Sequence, residues 1–486
     1  KKLSLDLLWF TIIQVHCLFD FVVDFCFKLY YQNKIRKVPN KKVTAEEVVR
    51  VFIERCKEVN EIINAVVEEC YEKAIAEAKE VDKLLKNHED PHSFKKTKPF
   101  LGVPFTTKES NEAKGLLHTM GSLFRQNHRS TEDSVVVEYL KSAGGIILGK
   151  TNIPELNMWC ESRNNIYGQT NNPYDTTRTV GGSSGGEAAL VAACGTPISI
   201  ASDIGGSTRM PAFFNGVFGH KPSEGVGLST NVSKGSMLAA GPICKKAVDL
   251  DPLLRILIGE NISKLKLDEP VDLKNLNIFY QEESGDMRSS KVSGSLREAM
   301  KKTVNHFREI SGSVVLPGTE YSYKLWRHWM TKEDREFRYD ITNKQYRTSA
   351  TAELINLITF RSQLTLAAIV KLMDEDYFPK ANNEWAEKIT ENLKTELMLG
   401  DNGVLFYPSS PTTATYHYSA FLRPFNFGSW CIFNVLKFPS CQVPLGLDKN
   451  GLPLGIQVVA APYQDHLCLA VARELETAFG GWVNPS

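Results

Sequence analysis

The spacing of hydrophobic residues changes along the chain and predicts three kinds of segment: one long apolar helix, a region of amphipathic helices, and a mixed α/β core. Residues 7–31 form the most apolar stretch and are long enough for one membrane-crossing helix. Residues 44–85 repeat apolar positions at helical spacing and open with Thr44 and Glu47, the pattern of a capping box. Between residues 102 and 241, short apolar runs alternate with glycine-rich turns and helical stretches, which indicates a mixed α/β core.

The first apolar segment carries a polar stripe. His16, Asp20, Asp24 and Lys28 are four residues apart, so they lie on one side of a helix. Because carboxylates are costly inside a bilayer, this helix either spans with its stripe covered, lies in the interface, or packs on the body of the protein. We favour membrane association through residues 1–38, single-pass or interfacial, and the stripe also suits a partner helix in a homodimer.

Composition narrows the class of protein. The chain has 486 residues, 42% of them hydrophobic, which excludes a disordered or collagen-like protein. Lys and Arg number 57 against 56 Asp and Glu, so no global field favours nucleic acid as a partner. The ten cysteines are scattered without a C-x-x-C spacing and are expected to be reduced. With no repeat or long linker, residues 39–486 are expected to form one catalytic domain.

Two glycine–serine segments carry most of the chemical information. GGSSGGE at 181–187 lacks the Gly-Lys-Ser/Thr ending of a phosphate-binding loop, and DIGGSTR at 203–209 is not the G-x-S-x-G of a nucleophile elbow. A serine between glycines still serves as a nucleophile if a base takes its proton. His220 in GHKPS is the nearest histidine, but we expect it to be structural. Lys108 in LGVPFTTKES has the position of a strand-end lysine, and buried lysines can act as bases.

These segments together resemble the amidase signature family. Lys108 precedes Ser183 by 75 residues, and Ser183 precedes Ser207 by 24, which agrees with the family pattern. Within the family, the likeness extends to the fatty-acid amide hydrolase 2 group over residues 41–483, and it is weakest in the N-terminal helix and in 285–400. It rests on NNPYD at 171–175, RMPAFFNGVFGHKPS at 209–223, LRPFNF at 422–427 and PLGIQVVAAPYQDHLCLAVARELETAFGGWV at 453–483.

The resemblance implies a fold and a set of site residues. The fold would be α/β, the amidase-signature fold, with a mixed twisted β-sheet covered by helices and preceded by the N-terminal hydrophobic helix. Ser207 would be the acylated nucleophile, Ser183 a bridging proton shuttle after a cis peptide bond, and Lys108 the base, with no metal or organic cofactor. The residues implied in oxyanion or substrate binding are Ile204, Gly205, Gly206, Ser207, Met158 and Ser183.

Other residues have simpler expected roles. Met158 and Trp159 stand where similar hydrolases line an acyl channel. Glu187 is expected to be a first-turn helix acid rather than a catalyst. Asp203 and Arg209 are expected to brace the nucleophile turn. The apolar residues 354–372 are either a membrane-facing helical cap, as in similar enzymes, or a buried helix pair, and the sequence favours neither.

The resemblance implies a serine hydrolase that cleaves fatty-acid amides, such as primary fatty amides and N-acylethanolamines, to a fatty acid and an amine. The expected partners are a lipid amide substrate and a membrane or lipid-droplet surface. Because a fold does not determine a substrate, an amidase for small or aryl amides is the first alternative. An amidotransferase subunit and a catalytically silent membrane scaffold are the others.

Overall fold

The computed structural model describes residues 43–225, 236–307, 310–313, 318–333, 336–378, 382–397 and 399–485. The expected helix over 7–31 lies outside these residues. The strands are β1 Val66–Glu69, β2 Pro104–Lys108, β3 Ile146–Thr151, β4 Arg163–Asn164, β5 Gly168–Gln169, β6 Ile198–Asp203, β7 Phe218–Lys221, β8 Ala239–Cys244, β9 Asn277–Tyr280, β10 Ile310–Ser313, β11 Gly403–Pro408, β12 Ser440–Leu447 and β13 Pro453–Ala460.

The α-helices connect and cover these strands. They are α1 Ala45–Ile63, α2 Tyr71–Asn87, α3 Phe94–Thr97, α4 Val135–Ser142, α5 Gly185–Ala192, α6 Arg209–Phe214, α7 Leu250–Ile258, α8 Gly294–His306, α9 Ser322–Met330, α10 Phe337–Asp340, α11 Ala350–Ile358, α12 Leu366–Tyr377, α13 Asn383–Glu396, α14 Gly428–Val435 and α15 Asp465–Phe479.

One large sheet organises the described chain. Its 11 strands run in the order β1-β3-β2-β6-β8-β7-β12-β13-β11-β9-β10. Strand β2 is parallel to β3 and β6, whereas β6 is antiparallel to β8, so the sheet is mixed as predicted. Every residue of β2, β3, β8, β11 and β13 is buried. Since successive residues point to opposite faces, helices cover both faces of the sheet.

The N-terminal helices follow the predicted pattern. Thr44 caps α1, its hydroxyl accepting from the Glu47 N–H at 3.1 Å while the Glu47 carboxylate accepts from the Thr44 N–H at 2.9 Å. The predicted capping box is therefore confirmed. Helices α1 and α2 bury their apolar stripes against β3 and against the Ala-rich helix α5.

We call helices α9 to α12 the cap; α11 packs on α12, whereas α9 packs on α14 and on the central cluster that includes Leu405. Helices α11 and α12 bury one side, including Ala350, Ile369 and Leu372, in a cluster with the loop around Leu156. Their other side leaves five large apolar side chains exposed. These are Ile355, Leu357, Ile358, Phe360 and Leu366.

The expected apolar segment 354–372 is thus a packed helix pair that also presents an apolar surface. Phe360, in the turn after α11, is 98% exposed, and Ile358 is 75% exposed. Among the described residues, no helix has both the length and the apolar character needed to cross a membrane.

Candidate active site

Lys108 is the last residue of β2 and lies inside the protein. Its side chain is 1% exposed. The Lys108 Nζ donates to the Ser183 Oγ at 2.7 Å and to the Ser202 Oγ at 3.1 Å. The strand-end position predicted from the sequence is confirmed. Burial of this kind disfavours the charged form of a lysine, which suits an amine that must accept a proton.

Ser183 lies in the loop before α5 and is as deeply buried as Lys108. The Gly182–Ser183 peptide bond is cis, as the resemblance implied. A Cβ atom on Gly182 would lie 2.3 Å from the Trp159 carbonyl oxygen, so only glycine fits at this position. The loop is therefore pressed against the segment that carries Trp159, and the Ser183 hydroxyl is directed at Lys108.

Ser207 lies in the turn between β6 and α6 and is only partly buried. The Ser184 N–H donates to the Ser207 carbonyl oxygen at 3.1 Å, which joins the two serine loops through their backbones. Gly206 has φ +114°, and a Cβ there would meet the Trp430 Cβ at 2.4 Å. Within the described residues no hydrogen bond joins the Ser207 and Ser183 hydroxyls. We call Lys108, Ser183 and Ser207 the serine–lysine site.

Asp203 and Arg209 hold the two ends of the Ser207 turn, as predicted. Both side chains are fully buried, and the guanidinium donates to the two carboxylate oxygens at 3.0 and 3.1 Å. Burial opposes ionisation of Asp203, but the Arg209 charge and its hydrogen bonds outweigh this and hold the Asp203 pKa far below its usual range. The remaining donors of Arg209 bind the Trp430 carbonyl, Gln457 and Asn434.

The resemblance implies that Ile204, Gly205, Gly206 and Ser207 of the turn take part in oxyanion binding. The Gly206 N–H donates to the Asp203 Oδ1 at 2.7 Å, because the buried carboxylate takes up the nearest donors of the turn. Elsewhere in the described chain, no hydrogen bond accepts the N–H of Ile204, Gly205 or Ser207. Three of the four N–H groups are therefore open in this structure, and the oxyanion role of the four residues stays a prediction.

Glu187 lies in the first turn of α5, as expected for a helix acid, but it is fully buried rather than solvated. The Thr151 hydroxyl donates to its Oε1, and its Oε2 has no hydrogen-bond partner within the described residues. Burial raises the Glu187 pKa, and the charge of Lys108 opposes that rise. A carboxyl group therefore lies beside the lysine of the site.

His220 is structural, as expected, although it lies in strand β7 rather than in a turn. It is fully buried, and its Nε2 is 2.9 Å from the Asp465 Oδ1. The Ser223 hydroxyl donates to the other oxygen of Asp465 at 2.5 Å rather than to the imidazole of His220. Ser223 and His220 therefore do not form a nucleophile–base pair. In the described ranges, no group of three or more His, Cys, Asp or Glu side chains is placed to hold a metal ion.

A cavity of about 370 Å³ lies between the cap and the Met158 loop. Its apolar wall includes Met120, Leu156, Met158, Met330 and Phe337. Charged side chains line another part of it: Arg125, Arg327, Asp340, Lys344, Lys371, Asp374 and Glu375. The volume falls in the range of small-molecule sites, and the lining is divided between an apolar wall and a charged part.

Two links connect this cavity to the serine–lysine site. Met158 faces the cavity, while the next residue, Trp159, touches Gly182 through its carbonyl oxygen. Trp159 itself stacks on Phe421 with ring centroids 4.6 Å apart. On the other side, helix α9 lines the cavity with Met330 and donates from the Trp326 Nε1 to the Ile204 carbonyl oxygen at 2.9 Å.

Sequence reasoning missed the contribution of α9 and α10 to this cavity. The resemblance is weakest over 285–400, and an amphipathic helix rich in aromatic residues can belong either to a cavity wall or to the core. The aromatic residues in YSYKLWRHWM at 321–330 are the signal in the sequence that α9 packs against several other elements.

Comparison with known proteins agrees with this architecture. The amidase family model matches residues 47–469. Fatty-acid amide hydrolase 2 of Homo sapiens is 43% identical over 92% of this chain and 88% of its own, and fatty-acid amide hydrolase 2-A of Danio rerio is 41% identical over 93% and 88%. A solved fatty acid amide hydrolase superposes with a TM-score of 0.72 at 18% identity, covering 93% of this chain and 84% of that one, which shows the shared fold. The chain belongs to the amidase family.

Proposed function

We propose that this chain is a serine hydrolase that cleaves fatty-acid amides through an acyl-enzyme on Ser207. The observation that carries the chemistry is the 2.7 Å hydrogen bond from the Lys108 Nζ to the Ser183 Oγ in a buried site. It provides a dry base with a hydroxyl relay, and the backbone bond between the serine loops holds Ser207 on the far side of that relay.

The proton path follows from these contacts. Lys108, as a free amine, accepts a proton from Ser183, which takes one from Ser207 as its oxygen attacks the amide carbon. The Ser183 and Ser207 hydroxyls come into hydrogen bonding when substrate is bound, since such bonds tighten in the reacting complex. The same proton returns through Ser183 to the leaving amine. Water then releases the fatty acid from Ser207.

The oxyanion formed during attack is stabilised by backbone donors. Ile204, Gly205 and Ser207 provide the open N–H groups of the turn, while the Gly206 N–H keeps Asp203 in place. Removal of one such donor costs about 3 kcal/mol in other hydrolases. The Asp203–Arg209 pair thus acts on the reaction by fixing the turn rather than by touching substrate.

Two features favour a long-chain substrate. The relatives at 41–43% identity are fatty-acid amide hydrolases 2, and the cavity beside Trp159 has an apolar wall that includes Met158. Each methylene buried there contributes about 0.8 kcal/mol of binding, which a small amide cannot supply. The Met158 wall is accordingly assigned to the acyl chain.

Membrane association is part of the same proposal. The cap exposes several large apolar side chains between Ile355 and Leu366, interspersed with polar residues such as Arg361. Apolar patches of this kind mark interaction surfaces in soluble proteins. The patch provides a lipid-facing surface on the cap that lines the cavity, where a substrate dissolved in the bilayer would enter, and the apolar sequence over 7–31 provides a second means of attachment.

The test is hydrolysis of oleamide, an N-acylethanolamine, a small aryl amide and glutamine by wild type and Ser207→Ala. We expect turnover of the two lipid amides by wild type, and its loss in the variant together with labelling by a fluorophosphonate. Ser410→Ala removes a buried serine outside the serine–lysine site and is the matched control that keeps activity.

Any of three results would contradict the proposal. Turnover of the aryl amide alone would keep the chemistry and reject the lipid substrate. Labelling that persists in Ser207→Ala would place the nucleophile elsewhere. A folded wild type without turnover of any amide would favour the silent scaffold.

A further inference from the structure

The proposed mechanism makes Lys108 cationic in a site that excludes water. When Lys108 takes the serine proton, an ammonium ion forms on a side chain that is 1% exposed. A buried charge without a partner costs several kcal/mol, so the reaction needs a compensating group beside the lysine. The serine hydroxyls that surround Lys108 are neutral and supply dipoles only.

Glu187 is the carboxyl group that reaches this position. Lys108 and Thr151 are register partners on the parallel strands β2 and β3, so their side chains leave the sheet on the same face. The Thr151 hydroxyl donates to the Glu187 Oε1, which places the carboxyl on the side of the sheet from which Lys108 projects, and the Lys108 charge lowers the Glu187 pKa. Both groups are buried, and the second oxygen of Glu187 has no hydrogen-bond partner in the described chain.

The other charged groups packed around α5 are engaged elsewhere. Asp203 is neutralised by Arg209 through two hydrogen bonds. Glu109 accepts from the Thr119 hydroxyl at 2.9 Å and from the Met120 N–H at 2.9 Å. Lys150 also attracts Glu187, while its own Nζ donates to the Leu117 carbonyl oxygen. Glu187 therefore remains as the acid that serves Lys108.

We propose that Glu187 is the counter-charge of Lys108, a positioning residue whose carboxylate stabilises the ammonium that forms when the base takes the serine proton. This inference rests on the proposed function. The Lys108 amine beside the Glu187 carboxylate carries one negative charge, and after the serine proton is accepted, the ammonium beside the carboxylate carries no net charge. The buried ammonium is thus formed beside a charge of opposite sign.

The test is the pH dependence of Ser207 labelling by a fluorophosphonate and of kcat/KM for oleamide in Glu187→Gln. Gln keeps the size of the side chain and the contact with Thr151 but cannot ionise. Without the carboxylate, Lys108 loses its proton at lower pH. We expect the rising limb of both profiles to move at least one pH unit lower, and the plateau at high pH to fall several-fold because the base is weaker.

Two further variants make the result decisive. Glu187→Asp keeps the charge one methylene further away and should shift the rising limb of the pH profile by less, in the same direction. This variant also tests the proposal if the Gln variant does not fold. Asp249→Asn is the control: burial also raises the Asp249 pKa, to about 6, but its charged neighbours are Glu476, Lys245 and Lys246. Its profile should match that of wild type.

Profiles of Glu187→Gln and Glu187→Asp that superimpose on wild type after normalisation would overturn the inference. A loss of stability alone, with an unshifted limb, would show a structural role and would overturn it equally. Failure of the proposed function looks different, because wild type itself would then neither label at Ser207 nor hydrolyse oleamide.

Discussion

The serine–lysine site and the cap are built by opposite means. Around Ser207, the buried side chains of Asp203 and Arg209 bind one another, and Asp203 also accepts from the N–H groups of Gly206 and Thr208. In the cap, α11 and α12 bury small and aliphatic residues on one side and leave Phe360 and Ile358 in solvent on the other. Polar contacts specify the first region, whereas the second has an apolar side that the described residues leave uncovered.

The difference teaches where rigidity and adaptability are needed. Acyl transfer requires catalytic atoms held within fractions of an ångström, and a network of buried hydrogen bonds supplies this. Uptake of a flexible lipid requires an apolar surface rather than fixed geometry. Besides the bond from Trp326 to the Ile204 carbonyl, one contact ties the cap to the Met158 loop: the Glu155 carboxylate accepts from the Thr365 N–H, at the start of α12, at 2.9 Å.

Lys108→Ala removes the base of the serine–lysine site and has the largest expected effect on activity. Without the base, kcat/KM for oleamide should fall by about a thousandfold at pH 7, and the remaining rate should rise with hydroxide concentration. Measurement of kcat/KM from pH 6 to 10 checks this.

Lys150→Met is the matched control for that variant. Lys150 is an equally buried lysine near the end of the neighbouring strand, where it donates to the Leu117 carbonyl. Its loss should lower stability while kcat/KM stays within about tenfold of wild type, as expected for a residue outside the proton path. A Lys108→Ala enzyme as active as Lys150→Met would remove lysine as the base.

Glu155→Gln tests the link between the two regions. Burial raises the Glu155 pKa to about 7, against opposing hydrogen bonds from Thr365. The folded protein therefore keeps this carboxyl protonated after the unfolded chain has ionised, and wild type loses stability as pH rises from about 4.3 to 7. Gln removes this dependence.

Relative to wild type, the Glu155→Gln variant should therefore gain up to roughly 3 kcal/mol of unfolding free energy between pH 5 and pH 8. Urea denaturation of both proteins at the two pH values measures it. A difference between the proteins that does not change with pH would contradict the prediction.

Replacement of Ile358 and Phe360 by serine tests the exposed side of the cap, with the smallest expected effect. Burying each side chain in lipid is worth about 2 kcal/mol, so partition of the full chain onto phosphatidylcholine vesicles should weaken at least about tenfold. Hydrolysis of a short soluble amide should be unchanged. Met287→Ser removes an apolar side chain that is 99% exposed outside the cap and should leave partition unchanged. Equal partition of all three proteins would remove the cap as a lipid surface.

The residues of the site could be predicted because the motifs that carry the family resemblance lie in short segments of the sequence. Lys108 ends an apolar run, Ser183 follows Gly182, and Ser207 follows Gly206, where the tight loops require glycine. The cavity could not be predicted in the same way. Its walls come from α9, α10 and α12 and from the Met158 loop, which are more than 160 residues apart in the chain. Helical periodicity shows which side of α12 is apolar but not what covers it.

The sequence by itself determined the mixed α/β class, the capped first helix, the three residues of the serine–lysine site and the Asp203–Arg209 brace, because each follows from short-range pattern or a motif of fixed spacing. Only the tertiary structure decided that Gly206 binds Asp203, that Glu187 lies beside Lys108, and that the 354–372 segment is both buried and exposed. These depend on which strands and helices become neighbours, and that is settled by packing over the whole sheet rather than by local preference.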